Sequence, residues 1–230
     1  MFFSTQEGDL IVGEVHEIYK DGSLQLHMPG QRSGRLGGGC LLKLPPNCIK
    51  RQKLHRHRLL VPRASALLRE SFPASSLSSG GLDLVSATRV GLILGCNGLV
   101  WVGLASGADW SGDAPHQTDS NSQPEIETDS LDPMERRRLA VDERLAVARV
   151  RNCILALARH RVPIWEMSVL AAFEASWLED RHQIISGPEA IATDTEAATI
   201  DLFAGIAGLL QADASRRLAA LVAAKIEASF

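Results

Sequence analysis

The chain has 230 residues, of which 45% are hydrophobic, and it carries a formal net charge of -3 with a sequence pI near 6.2. This size and composition suit one large domain or two small ones with a buried core, and they exclude a wholly disordered chain. The slightly acidic balance excludes a protein that is basic throughout, but it permits a local basic surface.

The four cysteines are widely separated and form no Cys-x-x-Cys pair: Cys40, Cys48, Cys96 and Cys153. This spacing predicts neither a zinc knuckle nor a disulfide framework and favours a reducing compartment. No apolar run reaches the roughly 18 residues of a membrane span. The first residues lack the charged and apolar regions of a secretory signal. We therefore expect a soluble intracellular protein with no cofactor and no membrane contact.

Two β-strands around a turn are predicted in residues 9–28. The β-branched residues and partial alternation of residues 10–19 favour a strand, and residues 24–28 alternate again. The Asp-Gly pair in Lys20-Asp-Gly-Ser23 is a turn signal. A glycine-rich stretch follows at residues 34–39, and a further short strand is expected at residues 40–44.

A second hairpin is predicted from residues 88–94 and 99–102, which flank Gly95-Cys-Asn-Gly98. An Asn-Gly pair between two apolar β-rich runs predicts a hairpin because both turn residues tolerate positive φ. Between the two β regions, residues from about 59 to 86 are punctuated by Ser, Gly and Pro, which predicts an insertion. After the hairpin, residues 103–133 hold seven acids and no Lys or Arg, which is typical of a solvated linker.

The second half of the chain predicts helices. Asp132 is suited to capping a helix with Pro133 at its first position, and apolar residues recur at helical spacing after it. Pro163 separates this helix from a second one at residues 164–178. Two Ala-rich amphipathic segments follow, at about residues 199–211 and 213–227. Strands followed by helices indicate the α+β class.

Basic residues are concentrated in one stretch, since Lys43 to Arg69 holds eight Lys or Arg and no acid. Within it, six residues are candidates for binding RNA phosphates through charge and counterion release: Lys50, Arg51, Lys53, His55, Arg56 and Arg58. The alternatives are a solvated face or a contact with acidic surfaces of neighbouring subunits. No Cys or acid stands at a spacing that would make His55 and His57 metal ligands, so no metal site is predicted.

Gly95-Cys-Asn-Gly98 also fits the Gly-x-x-Gly loop with which KH domains clamp RNA. That loop joins two helices and usually carries a cation, whereas here the flanks read as strands and the middle pair is Cys-Asn. Gly95, Asn97 and Gly98 are therefore predicted to form a structural turn. No catalytic residue is predicted, because neither a paired-carboxylate set nor a Ser/His/Asp set is found, and the glycines at residues 37–39 lack the Lys-Ser/Thr of a P-loop.

Several stretches resemble cap subunits of the RNA exosome, in the order in which that family has them. Residues 6–27 resemble the last two strands of an S1 barrel, an OB-type fold, and residues 90–102 resemble the Gly-x-Asn-Gly hairpin of the family's KH domain. Three further stretches resemble the type called ribosomal RNA-processing protein four: Lys50-Arg-Gln-Lys53, Arg149-Val-Arg-Asn-Cys-Ile154 and Phe173-Glu-Ala-Ser176.

The resemblance implies a non-catalytic subunit of a hetero-oligomer. It would sit on a ring of RNase PH-like subunits, stabilise that ring, and guide single-stranded RNA for 3′–5′ processing and decay of ribosomal and messenger RNA. The implied locations are the nucleus, nucleolus and cytoplasm. The alternatives are the paralogous cap subunit, processing protein forty, and a free-standing KH RNA-binding protein outside the exosome.

The resemblance also implies a domain division, with an N-terminally truncated barrel at the start. Residues 1–44 would be a partial S1 barrel, in which only the last strands are present. Residues 45–186 would be a KH-like domain with a β-hairpin and insertions at about 59–86 and 103–132. Residues 187–230 would be a C-terminal helical extension.

Overall fold

A computed structural model of the protein describes residues 6–27, 34–36, 38–63, 87–105, 133–186 and 205–228. Within these ranges the eight strands are β1 (Ile11–Val12), β2 (Glu14–Ile18), β3 (Leu24–His27), β4 (Gly34–Arg35), β5 (Gly39–Lys43), β6 (Arg56–Pro62), β7 (Ala87–Leu94) and β8 (Leu99–Leu104). Its long helices are α1 (Pro133–Arg159), α2 (Glu166–Ser186) and α3 (Ala212–Glu227), with a 3-10 turn at Pro46–Cys48 and a helical turn at residues 205–208. Among the described residues no helix is both long and apolar enough to cross a membrane.

The main sheet has four antiparallel strands in the order β5-β8-β7-β6. Two small two-stranded sheets lie N-terminal to it in sequence, one formed by β2 and β3 and the other by β1 and β4. The α+β class is confirmed, and the two open sheets are consistent with a partial barrel. Among the described residues the four-stranded sheet is the largest, and it positions the candidate site.

The helices cover one side of the four-stranded sheet. Helix α1 lies against β7 and β8, α2 lies against β6, and α3 packs on both helices. The sheet's contribution to this core includes Val61, Val90, Leu92, Val100 and Val102, all of which are fully buried. Full burial of such side chains contributes about 1.5–3 kcal/mol each, so this contact is the main source of stability.

The two hairpin turns share one design. Gly22 N–H donates to Tyr19 O, and Gly98 N–H donates to Gly95 O, both at 3.0 Å, and both glycines have positive φ (+86° and +90°). A type I turn closed by a left-handed glycine is the usual three-residue hairpin loop. The residue before each glycine accepts a hydrogen bond from the amide two positions on: Asp21 from Ser23, and Asn97 from Leu99.

The predicted second hairpin is therefore present, with one difference in its turn. Gly98 adopts positive φ, whereas Asn97 does not. Asn97 contributes through its side-chain oxygen, which lies 3.1 Å from the Leu99 amide nitrogen. In the first turn, hydrogen bonds from the Ser23 side chain and backbone lower the pKa of the Asp21 carboxyl below its ordinary value. The side chain thus stabilises each turn by bonding the backbone.

Strand β6 was not predicted and shortens the first expected insertion. Residues 59–62, placed at the start of that insertion, pair with residues 87–90 of β7. The basic residues that open β6 concealed the period-two alternation, in which His57, Leu59 and Val61 point to the core. Residues 103 and 104 likewise belong to the end of β8 rather than to the second expected insertion. Residues 64–86 and 106–132 lie outside the described residues.

The β2–β3 hairpin carries an apolar face that the described structure does not bury. A bulge at His16 brings Val15 and Ile18 to the same face, opposite Leu26 and Leu24 respectively. All four of these side chains are more than half exposed. A two-stranded hairpin without a covered face is marginally stable in water.

We predict that the amides of β2 and β3 exchange with solvent much faster than those of β7 and β8. The first hairpin can open locally, whereas the second can open only with the core. Amide hydrogen exchange followed by mass spectrometry measures both hairpins in one sample. Equal protection of the two would show that the β2–β3 face is covered.

Gly98→Ala is expected to destabilise the fold by roughly 2–5 kcal/mol, from a strained left-handed alanine and a steric clash. An added Cβ would lie 2.2 Å from Leu44 O, where only backbone can yield. Gly208→Ala is the matched control, because its Cβ would meet nothing within 4 Å and its φ is not positive. Urea denaturation of both variants tests this, and equal midpoints would contradict it.

Candidate nucleic-acid interface

The side of the four-stranded sheet away from the helices is here termed the outer face. Trp101 and Ile93, paired across β8 and β7, belong to it, because they form a small cluster separate from the main core. Side chains alternate along each strand, so Lys43, Arg58 and Arg89 also belong to the outer face.

Cations from three strands share the outer face. Arg56 lies opposite Ile93, and Arg58 is two residues further on. Lys43 on β5 and Arg89 on β7, which were not predicted from the sequence, join the two predicted arginines. The four strands contain no Asp or Glu. The strands themselves therefore contribute only positive charge to the outer face.

Trp101 occupies the middle of the outer face as a packing residue. It is only 4% exposed, and its ring lies over Gly39 and Gly103, where an added Cβ would come within 2.6 Å of ring atoms. Leu10 and Leu36 pack against the same cluster, and Leu36 N–H donates to Leu10 O. Trp101 therefore connects the N-terminal segment to the sheet and is not available to stack on a base.

The predicted basic run is divided between two places. Lys50 lies by the loop between α1 and α2, where its N–H donates to Ile164 O at 3.0 Å and its Nζ stands 4.3 Å from the centre of the Trp165 ring. Arg51 and Lys53 are exposed in the connection that leads to β6. The run therefore does not form one cluster, and only its last part reaches the outer face with Lys43 and Arg89.

The two histidines of the run have structural surroundings. His55 directly precedes β6, and its Nδ1 lies 2.9 Å from Leu94 O at the end of β7. His57 points to the core side and stands 3.0 Å from a Glu166 carboxylate oxygen. In the described ranges no group of three or more His, Cys, Asp or Glu is placed to hold a metal ion.

The Gly95–Gly98 turn joins two strands and is held by the neighbouring chain segment. Leu44 N–H donates to Gly98 O at 2.8 Å, so the loop is fixed against the end of β5. The helix-flanked geometry of an RNA clamp is not found here. An arrangement of sheet-borne cations without an available aromatic can bind phosphates, and phosphate contacts confer affinity with little sequence selectivity.

Arg149 and its neighbours build a buried polar network. Arg149 is 3% exposed, and its Nη2 lies 2.6 Å from an Asp180 carboxylate oxygen on α2. Ser176 Oγ is 3.6 Å from Cys153 Sγ, and Asn152 donates to Ile206 O at 2.8 Å. This network ties α1, α2 and the turn at residues 205–208 together.

Cys153 is buried within that network, and burial raises the pKa of its thiol to about 11. At neutral pH the side chain is therefore a thiol, which packs as a small apolar group. Burial likewise raises the pKa of Cys40 on β5, although the charge of Arg151 opposes the shift. These two cysteines are structural.

Curated relatives of the chain share one name across eukaryotes, although no protein-family model matches it. Exosome complex component RRP4 of Bos taurus, where RRP4 denotes ribosomal RNA-processing protein four, is 30% identical over 171 residues, or 74% of this chain and 44% of the relative. The Schizosaccharomyces pombe protein of the same name is 29% identical over 80% of this chain, and the Arabidopsis thaliana homologue is 30% identical over 66%. The chain spans less than half the length of these relatives.

Arg149→Leu is expected to lower the free energy of unfolding by about 3–5 kcal/mol, because it leaves the Asp180 carboxylate buried without its counter-ion. Arg144→Leu, on the exposed side of the same helix, is the matched control and should change stability by about 0.5 kcal/mol or less. Thermal denaturation of both variants measures the difference. Similar losses in the two would show that the buried pair contributes little.

Proposed function

The chain is a homologue of exosome complex component RRP4, and from this premise we propose that it is a non-catalytic subunit of the RNA exosome. In the proposed role it sits as a cap on a ring of RNase PH-like subunits and helps to hold that ring together. It would act with them in the 3′–5′ processing and decay of ribosomal and messenger RNA, in nucleus, nucleolus and cytoplasm.

The observation that carries this proposal is that the relatives from animals, fungi and plants are all named as exosome complex component RRP4 or its homologue. A match over 66–80% of this chain includes more than a single small motif. The buried network of Arg149, Asn152 and Asp180 supports it from the structure, because the Arg149–Ile154 stretch that carries part of the resemblance is a core element of the helical layer.

For RNA, we propose that the outer face guides a single strand by contacts with its phosphates. Lys43, Arg58 and Arg89 lie on three strands of a sheet without acids, so their charges add along one surface. Arg51 and Lys53 are exposed in the connection that leads to β6 and add positive charge there. Since Trp101 is buried, binding is expected to be weak, salt-sensitive and little dependent on sequence.

The first test of the proposal is the set of proteins that accompany the chain. A tagged copy purified from its host at physiological salt should bring RNase PH-like ring subunits with it in defined stoichiometry, identified by mass spectrometry. A matched tagged copy carrying Arg149→Leu, which disturbs the helical layer, should bring fewer. Recovery of messenger-associated proteins without ring subunits would instead support a free-standing RNA-binding protein.

The second test is an RNA titration of the purified chain. Lys43→Glu/Arg58→Glu/Arg89→Glu should weaken binding of a single-stranded RNA of about 12 nucleotides and reduce the slope of log affinity against log salt by about 2, at roughly 0.7 for each phosphate that is no longer neutralised. Fluorescence anisotropy between about 50 and 200 mM salt measures both quantities. Arg51→Glu/Lys53→Glu should have a smaller effect in the same direction.

Two controls accompany this titration. Lys20→Glu/Arg137→Glu/Arg216→Glu changes the net charge equally but removes exposed cations scattered over three other elements, so binding should fall far less. Asn97→Ala should lower thermal stability and leave RNA affinity unchanged, because it removes only a turn hydrogen bond. Equal reductions in the two triple variants would show that the outer face has no special role.

A further inference from the structure

A second polar location lies at the end of the four-stranded sheet where β6 ends and β7 begins. Val61 stands opposite Thr88 and Pro62 opposite Ala87, so Arg63, which directly follows β6, comes close to Thr88 on β7. Arg63 is 7% exposed and Thr88 is 3% exposed. None of the proposed RNA contacts uses either residue.

The guanidinium of Arg63 is incompletely bonded. Its Nε donates to Ala87 O at 3.0 Å, which fixes the plane of the group beside the strand end. Its Nη1 is buried and has no hydrogen-bond partner in the part of the chain that the structure describes. A buried positive charge without a counter-ion or full hydrogen bonding is strongly unfavourable, so such groups are normally found paired.

Thr88 on β7 also lacks a hydrogen-bond partner for its side chain among the described residues, although its Oγ1 is buried. Thr88 lies on the helix-facing side of β7 with Val90 and Leu92, where a valine would satisfy packing without leaving a hydroxyl unbonded. Two neighbouring donors that lack acceptors indicate that an acceptor from outside the described structure binds here.

We propose that Arg63 and Thr88 form a binding site for an oxyanion, a phosphate or carboxylate group. A guanidinium presents its N–H groups as a planar fork that matches two oxygens of such an anion, and a hydroxyl adds a third donor. A neutral ligand would satisfy the hydrogen bonds but leave the charge unpaired. An anion would accept the hydrogen bonds and also balance the charge of Arg63, and it would cross-link the ends of β6 and β7.

The test compares stabilisation by anions in the intact chain and in isosteric variants. Inorganic phosphate and sodium acetate are titrated separately at ionic strength matched with chloride, and thermal unfolding is recorded. Phosphate at about a hundredfold excess over its dissociation constant should lower the unfolding equilibrium constant about a hundredfold. Arg63→Met should abolish this response, whereas Arg216→Met, which replaces an exposed arginine of α3 far from the proposed RNA contacts in sequence, should retain it.

A second signature comes from stability without added anion. Because Arg63→Met removes an uncompensated buried charge at similar volume, its melting temperature in chloride should equal or exceed that of the unchanged chain. Thr88→Val should fold and show a weaker anion response, which keeps the test decisive if Arg63→Met does not fold. A response to acetate as well as phosphate would indicate that a protein carboxylate can occupy the site, and a response to phosphate alone would indicate a phosphate group.

Three results would overturn the proposal. One is the lack of any specific anion effect in the unchanged chain. Another is an undiminished effect in Arg63→Met. The third, if that variant is unfolded, is a response of Thr88→Val equal to that of the unchanged chain.

Discussion

Burial of the helix-facing side of the four-stranded sheet is the constraint on which the rest of the structure depends. The strand residues that point to α1 and α2 are almost all aliphatic and inaccessible, which fixes strand register because a shift by one residue would bring the opposite set of side chains inward. The same register sends Lys43, Arg58 and Arg89 to the outer face. The candidate interface is therefore a consequence of how the core is packed.

The centre of the outer face also contacts the N-terminal segment. Trp101 lies on two glycines, and Leu10 and Leu36 pack against its cluster, which connects the N-terminal segment to the sheet. Beyond that contact the β2–β3 hairpin exposes Val15, Ile18, Leu24 and Leu26. The hairpin's local geometry is well specified by its Asp-Gly turn, but its tertiary support in the described structure is slight. Turn chemistry and packing thus contribute separately to its stability.

Some buried polar groups of the described residues are hydrogen-bonded, and others are not. Arg149 is paired with Asp180, and the neighbouring Asn152 reaches the Ile206 carbonyl, so that part of the helical layer is held by satisfied hydrogen bonds. Arg63 and Thr88, at the far end of the sheet, are buried without equivalent partners in the described residues. Satisfied networks stabilise a fold, whereas incompletely satisfied ones point to a ligand or partner.

Local patterns in the sequence were sufficient to determine the α+β class, the order of strands before helices, both hairpin turns and the approximate extent of α1 and α3. These features depend on neighbouring residues, through turn chemistry, proline placement and periodicity. Strand β6 was missed because its first residues are charged, and the basic run was treated as one surface because it is continuous in sequence. Only the tertiary structure decided how the basic run is divided and that Arg58 shares a face with Lys43 and Arg89. It also decided that Arg149 pairs with Asp180 and that Arg63 Nη1 is buried without a hydrogen-bond partner among the described residues. Each depends on which distant segments pack together, and a residue's charge or type does not specify its long-range neighbours.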